Sequence, residues 1–244
     1  MGWECRGTHR PDAGRMAVEQ RAVPNTSVIV PTDLPCEEPR RIGQLGTLAR
    51  AAQLLHTVRY LRPIQIIGRA AASVNRSKPE TGPAPPLRES HGSWQAGAQR
   101  RPTMLCPALV SFLNETRSVE SAAAWNDRSC SHLWLYNLHY FDDLVAEGAP
   151  SREQWHRGLM DRWVRENPPG VGVGWEPYPV SLRVVNWVKW ALAGGVLDDA
   201  CVHSLAVQAR WLMRHIEWRL LGNHLWANAK ALVFAGAFFT GKEA

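Results

Sequence analysis

Cysteine is too scarce and too scattered in this chain to build a covalent framework. The five residues, Cys5, Cys36, Cys106, Cys130 and Cys201, form no C-x-x-C pair and are odd in number, which argues against both a disulfide scaffold and a structural zinc site. Long apolar runs are missing too. No stretch reaches the roughly 18 residues that a spanning helix needs, so no membrane partner is expected. Met1 to Cys36 lacks a basic segment followed by an apolar run of about 7–15 residues, so no secretory signal is legible; the compartment is left open, with the cytoplasm expected for the chain as written. Lysine is nearly absent, with 4 against 24 arginines. A GC-rich coding background produces that bias as readily as selection for planar recognition of carboxylate or sulfate.

Familiar catalytic and nucleic-acid signatures are also lacking. There is no Walker loop, zinc-finger spacing, ribonucleoprotein motif, Gly-x-Ser-x-Gly elbow or His-Glu-x-x-His pair. The formal charge is +6, but residues 1–100 hold 14 Lys+Arg against 8 Asp+Glu while residues 101–244 hold 14 against 14. The excess base therefore sits in the first part and forms no stripe with aromatics beside it, and no nucleic-acid partner is expected. Asp142 and Asp143 are adjacent, so on a helix they point about 100 degrees apart and cannot readily act as one carboxylate pair. Glu176 and Glu217 are also available for two-carboxylate glycoside hydrolysis, but nothing selects two of the four.

What is present is a length of 244 residues with 45% hydrophobic content, enough for one large domain or two small ones. Tryptophan is abundant, and all but Trp3 of the twelve lie between Trp94 and Trp226. Most are expected in the core, with a few left as flat platforms for sugar rings. Residues 1–40 are rich in Pro, Arg, Thr and Glu without a period and read as a poorly ordered extension, leaving 41–244 as the domain. Leu48, Ala51, Leu54, Leu55, Val58 and Leu61 recur at three- and four-residue steps, predicting an amphipathic helix from Gly43 to about Leu61 that Pro63 stops. Ser77 to Pro86 is a proline-rich loop, and Met104 to Leu113 is the one place where a short strand is expected.

From Leu133 onward the chain reads as helix after helix. Apolar faces run through Leu135–Val145, then Trp155–Val164, then Leu182–Leu192, then Val202–Ile216, then Leu225–Phe239, with Pro168-Pro169-Gly170, Gly172, Gly174 and Gly194-Gly195 as breaks. Short connections favour antiparallel neighbours. The fold class expected is all-α.

The most informative stretch is Ile216 to Leu232, where an amide and an imidazole stand together at a glycine. The pattern has Gly222 ending one helix in a left-handed conformation and Asn223 capping the next. His224 and Asn228 then share a face of that helix. Such a junction suits a sugar carboxylate, although a plain cap and a core histidine also account for the two residues taken singly. Asn137 and Tyr140, three apart, suit either interhelical hydrogen bonding or substrate contact. Trp175-Glu176-Pro177-Tyr178-Pro179 follows a glycine-rich turn, with Pro179 placed to begin a helix. Arg183, Asn186, Trp187 and Trp190 share the side of that helix away from Leu182, and fit packing or substrate contact equally.

Four segments taken in order carry a resemblance: Leu55–Gln65, Leu133–Leu144, Trp175–Arg183, and Gly222-Asn223-His224 with the helix after it. Across roughly residues 45–241 the chain resembles the N-terminal domain of the heparinase II/III family of polysaccharide lyases. The resemblance implies part of an α/α toroid of antiparallel helix pairs, normally followed by more helices and a β-sandwich. It implies β-elimination on an acidic, uronate-containing polysaccharide, without cofactor or metal, in which an amide neutralises the uronate carboxylate so that the C5 proton can leave. Asn223 looks like that amide and His224 its neighbour, both classed as catalytic; Asn137, Tyr140, Trp175, Glu176, Tyr178, Arg183, Asn186 and Trp190 are the expected substrate-binding set.

The family's proton-transfer Tyr and second His have no counterpart before Ala244, and Tyr136, Tyr140 and Tyr178 are not offered as substitutes. The chain is therefore expected to be an incomplete toroid whose activity needs a C-terminal part. The alternative is a non-catalytic glycan- or protein-binding helical module. An incomplete toroid would leave an apolar side uncovered around Val233, Phe234, Phe238 and Phe239, so self-association is expected.

Overall fold

The computed structural model describes residues 52, 56, 58–89, 92–95 and 97–241. The chain divides into two compact units, Met1–Tyr60 and Leu61–Ala244. The extension expected over residues 1–40, and most of the helix expected from Gly43 to Leu61, lie outside the described residues. In the first unit, the described His56 ring meets Tyr60 edge-on at 5.1 Å. Everything that follows concerns the second unit.

Pro63 begins a helix where the sequence suggested a stop. Helix α1 (Pro63–Val74) has Pro63 in its first turn, where the missing N–H costs nothing and the fixed φ suits the helix. Gly68 is buried against the chain at Trp218–Arg219, and a Cβ there would stand 2.8 Å from the Arg219 backbone nitrogen. Asn75 then donates to the Arg214 carbonyl at 2.7 Å. Helix α1 thus braces the turn that leads to the Asn223-His224 junction.

The segment from Ser77 to Pro86 is extended loop, as its prolines require. Arg210 clamps it by donating to the carbonyls of Gly82 and Pro83 at 2.9 and 2.8 Å. Beyond it Leu87 bridges Phe239, and the Arg88 guanidinium donates to the carbonyls of Gly236, Ala237 and Phe239. A cation on the last free carbonyls of a helix satisfies both hydrogen bonding and the helix dipole.

The all-α expectation needs correction. Strands β1 (Met104–Cys106), β2 (Leu109–Phe112) and β3 (Glu115–Ser118) form an antiparallel sheet in the order β1-β2-β3. Leu109 pairs Ser118 and Phe112 pairs Glu115, and the two residues between β2 and β3, Leu113 and Asn114, both take positive φ. That is the twist a two-residue hairpin demands. Three- and four-residue strands, one of them the polar Glu-Thr-Arg-Ser, give almost no alternation to read.

The rest of the unit is helical: α2 (His132–Tyr140), α3 (Glu153–Glu166), α4 (Pro177–Leu192), α5 (Asp199–Arg214) and α6 (Gly222–Phe238). Ser131 and Asp198 cap α2 and α5 by accepting from Trp134 N and Cys201 N at 3.2 and 2.7 Å. Helix α2 stops five residues short of its expected apolar face, because Phe141 turns left-handed (φ 58°) and starts a short 3₁₀ turn, Asp142–Val145. The break points the Phe141 ring among Trp125, Trp163 and Trp187. It also buries the Asp143 carboxylate against Thr103 N, Met104 N, Arg152 and His156. Burial alone would raise that carboxyl, but the bonds from His156, Arg152 and the two amides outweigh it and hold it well below the usual range.

Helix α4 is the centre, packed against α2, α5 and α6. Trp125, Trp134, Trp163 and Trp187 are fully buried, which is where most of the tryptophan goes, while Trp226 stays 73% exposed. Of the four residues expected on an uncovered apolar side, Val233 is exposed and Phe234 and Phe238 are half-buried. Phe239 is instead buried, because the strand-like segment at Leu87–Arg88 covers it.

Candidate functional site

The Asn223-His224 junction is built by a turn rather than by two abutting helices. Helix α5 ends at Arg214, and α6 starts at Gly222 with Leu221 as its cap residue. Leu221 sits at φ 58°, ψ −164° and is followed by Gly222 at φ 54°. The Leu221 conformation lies in a region that side chains rarely occupy and that costs on the order of 1–3 kcal/mol. Asn223 is therefore inside the first turn of α6 and caps nothing, which corrects the cap reading. Its side chain is exposed and, among the described residues, has no hydrogen-bond partner.

His224 is held from two sides. Its Nδ1 lies 3.0 Å from Glu217 Oε2, and its ring lies on that of Tyr178 with centroids 4.3 Å apart and planes at 37°. Glu217 is only 5% exposed although it sits in a turn. Asn228 fixes it there: Asn228 Oδ1 accepts from Glu217 N at 2.8 Å, and Asn228 Nδ2 donates to Ser181 Oγ at 2.9 Å. Ser181 in turn donates to the Pro177 carbonyl at 2.8 Å. The expected shared face of His224 and Asn228 is real, and it serves to tie the turn to the start of α4.

A line of rings leads away from His224. Tyr178 stacks with Tyr136 at 6.4 Å, Tyr136 with His132 at 4.5 Å, and Tyr140 meets both tyrosines at 6.2 and 5.9 Å. Tyr136 donates its phenol to Glu176 Oε2, and His132 Nε2 lies 3.4 Å from the same oxygen. Burial first, then the hydrogen bond to Glu176, pushes the Tyr136 phenol far up. Burial, then Tyr178, does the same for Tyr140. The Tyr178 hydroxyl makes no hydrogen bond among the described residues. Tyr140 is itself buried and backs the strip. What faces solvent is His132, the half-buried rings of Tyr136 and Tyr178, the Glu176 carboxylate, the tethered imidazole and, at the far end, the Asn223 amide with no hydrogen-bond partner among the described residues. Such a surface can stack a sugar ring and hydrogen-bond its substituents.

Of the expected set, Tyr140, Glu176, Tyr178 and His224 meet here, with Asn223 adjoining. Asn137 stands on α2 and spends its amide on the Leu133 carbonyl at 2.8 Å. Trp175, Arg183, Asn186 and Trp190 do not join them, and their reading as substrate-binding residues is corrected. Trp175 is 3% exposed and donates to the Asn167 carbonyl. Asn186 donates to the Tyr140 carbonyl and to Asp142 at 2.9 and 2.8 Å. Trp190 lies against Gly195, on a separate cavity of about 310 Å³ shared with Trp94 and Lys189. The reason is that α4 is buried nearly all round, so the face opposite Leu182 packs as well.

Arg183 is fully buried. Its guanidinium donates to Gln208 Oε1, the His139 carbonyl and the Gly174 carbonyl at 2.8, 3.2 and 2.8 Å, and lies 3.8 Å over the Trp163 ring. Burial lowers its affinity for the proton well below the ordinary arginine value. Beside it His139 accepts from Trp163 Nε1 through Nδ1 at 3.0 Å, so its Nε2–H donates to the Trp125 carbonyl at 2.9 Å. Burial, reinforced by the Arg183 charge, drives this imidazole down to about 3 and keeps it neutral.

Sequence reasoning missed Glu217, His132 and Tyr136 as site members. Glu217 precedes His224 by seven residues across a turn, so no helical spacing could join them. His132 and Tyr136 are four apart on α2, a pairing that periodicity could have found. Asp161, Asp198 and Cys201 also bring ligand-type atoms within 4.8 Å of one another. There Asp198 is committed to capping α5, and burial pushes the Cys201 thiol up, away from the thiolate a metal takes. Among the described residues no helix is long and apolar enough to cross a membrane. Comparison with protein-family models, with curated proteins and with solved structures finds no match to this chain.

Proposed function

We propose that this protein is a polysaccharide lyase module that acts on an acidic, uronate-containing glycan by β-elimination, with Asn223 and His224 at the point of chemistry. The observation that carries the reading is the pairing of an exposed amide at Asn223, without a hydrogen-bond partner among the described residues, with a neighbouring imidazole tethered by a buried carboxylate, next to a strip of aromatic rings. In this reading the Asn223 amide donates to the uronate carboxylate as charge moves onto it, which makes the C5 proton easier to remove. A base takes that proton, its electron pair forms the C4–C5 double bond, and the 4-O-glycosidic bond breaks with the leaving oxygen taking a proton from solvent. The rings of Tyr178 and Tyr136 stack the sugar next to the cleaved bond. The helices would form part of an α/α toroid, as the sequence resemblance implies.

The test is incubation of the protein with heparin, heparan sulfate, alginate and other uronate polymers. Elimination leaves a double bond conjugated with the uronate carboxylate, so near-ultraviolet absorbance rises. No rise with any uronate polymer refutes cleavage by this chain.

A second reading, a non-catalytic glycan-binding module, is favoured by one specific observation. Tyr136, the half-buried phenol of the ring line, spends its hydroxyl hydrogen on Glu176 Oε2, and burial with that bond holds the proton more tightly than usual, so the line supplies stacking faces rather than a proton. This reading expects retention on an immobilised acidic polysaccharide without new absorbance, and loss of retention in Tyr178→Ala.

A further inference from the structure

Among the described residues, His224 is the one imidazole on the ring strip whose geometry is set by a buried acid, and that acid is not itself open to a ligand. Glu217 is 5% exposed, whereas the side chain of His224 is 34% exposed. Glu217 Oε2 faces His224 Nδ1 at 3.0 Å and Asn228 Nδ2 at 3.5 Å, and its Oε1 has Arg219 Nη2 at 3.9 Å. A carboxylate ringed by an amide N–H and a guanidinium acts as an acceptor. A neutral imidazole carries one N–H and one lone pair, so Nδ1 facing this acceptor must bear the hydrogen and Nε2 must bear the lone pair.

We propose that Glu217 is a positioning residue for His224, fixing its ring and its Nδ1–H tautomer so that the Nε2 lone pair is available to a bound ligand. The placement does not depend on Glu217 alone. Asn228, fully buried, locks the Glu217 backbone and reaches Ser181 on α4, while Tyr178 from the same end of α4 supports the ring face. Flipping the ring would give up the bond to Glu217 and present Nδ1 to the ligand side. The turn that buries Glu217 is braced by α1 through Gly68 and Asn75. The strained Leu221 is held within a segment fixed at both ends.

For turnover this inference rests on the lyase reading; for the tautomer it does not. The experiment therefore begins with the full chain carrying ¹⁵N-histidine, in long-range proton–nitrogen spectra recorded at alkaline pH, where imidazoles are neutral. His224 is expected as the Nδ1–H form. His139 is expected as the Nε2–H form, because its Nδ1 accepts from Trp163, and so reports in each spectrum that the core is folded. Glu217→Gln, which keeps the volume but can face the ring with either oxygen or NH₂, should convert His224 into a mixture of tautomers while His139 is unchanged. Glu217→Ala should move it further toward Nε2–H.

An Nε2–H form of His224 in the unaltered protein overturns the proposal, as does an unchanged tautomer in Glu217→Gln. If the protein cleaves a uronate polymer, Glu217→Gln should lower kcat by at least about 10-fold, because the wrong tautomer withdraws the Nε2 lone pair, and leave KM within about twofold. A tautomer change with unaltered kcat would overturn the role in turnover. Absence of all cleavage together with retention on an immobilised uronate polymer would favour the binding module over the lyase reading and leave the tautomer result standing.

Discussion

Two histidines less than a hundred residues apart show how far surroundings decide what one side chain does. His139 is sealed between Trp125 and Trp163, uses both ring nitrogens on the protein, and stands beside a buried Arg183. His224 has one nitrogen on Glu217, one ring face on Tyr178, and an open edge. The first has spent all its hydrogen-bonding capacity on the fold, and the second keeps part of it for something outside. Arg183 and Asn223 repeat the contrast: three hydrogen bonds and complete burial against exposure with no bond among the described residues.

The comparison breaks first, if it is wrong, at Arg183. Replacing it with alanine strands the carbonyls of His139 and Gly174 and empties a space over Trp163, and should destabilise the protein by at least about 3 kcal/mol. Chemical denaturation measures it; a loss under about 1 kcal/mol would mean that the core tolerates an open polar centre.

Asn223→Ala is the counterpart on the strip. Since Asn223 caps nothing, its removal should leave stability within about 0.5 kcal/mol. On the lyase reading it should lower turnover roughly 100- to 1000-fold, about 2.7–4 kcal/mol of barrier. Melting temperature and initial rate, taken on the same preparation, separate the two, and normal turnover would remove Asn223 from the chemistry.

The pH dependence of stability tests the sealed histidine. His139 has a folded value near 3, below the ordinary histidine value of 6.5. Its stabilising effect is therefore complete above about pH 6.5 and is lost as pH falls toward 3, at up to about 1.4 kcal/mol per unit. Asp143, also held low, adds its own loss only as pH falls below about 4. Denaturation midpoints between pH 7 and 5 should therefore already fall, and a flat profile there would contradict the sealed, neutral state of His139.

A small effect should come from His224→Ala, about 1 kcal/mol of stability, because the side chain is partly exposed and takes one hydrogen bond from buried Glu217, which keeps its longer contact to Asn228. A loss above about 2 kcal/mol would show that His224 is as structural as His139, and the distinction between the two regions would collapse.

Much of the helical part was legible because its periodicity is strong. The apolar steps through Trp155–Val164, Leu182–Leu192 and Val202–Ile216 fall within or next to α3, α4 and α5. Boundaries were lost where tertiary contacts override local preference. Pro63 starts a helix, and Phe141 breaks one because its ring finds a better place among three tryptophans. One short strand was expected within Met104–Leu113, where two lie, and the polar third strand, Glu115–Ser118, was missed, since three or four residues cannot display alternation. On the ring strip, Asn223 and His224 were singled out from residue type and position, and Tyr178 and Glu176 from their neighbourhood, and the fold brings these four near one another, with Tyr140 buried behind them. Arg183, Asn186, Trp175 and Trp190 were misplaced because a helical wheel has no means of telling a solvent face from a second packing face.

The sequence by itself determined that this unit is built mainly of amphipathic helices broken at proline and glycine, and that an amide and an imidazole stand side by side at the start of the last of them. Those are properties of adjacent residues, and local geometry is enough to fix them. Which polar groups the core consumes and which stay open was decided only by tertiary structure. Glu217 reaches His224 through a turn, Asn228 reaches Ser181 across two helices, and Arg183 reaches the Gly174 carbonyl. Each of these bonds exists because burial makes an unpaired polar group costly, and burial is set by the packing of elements distant in sequence.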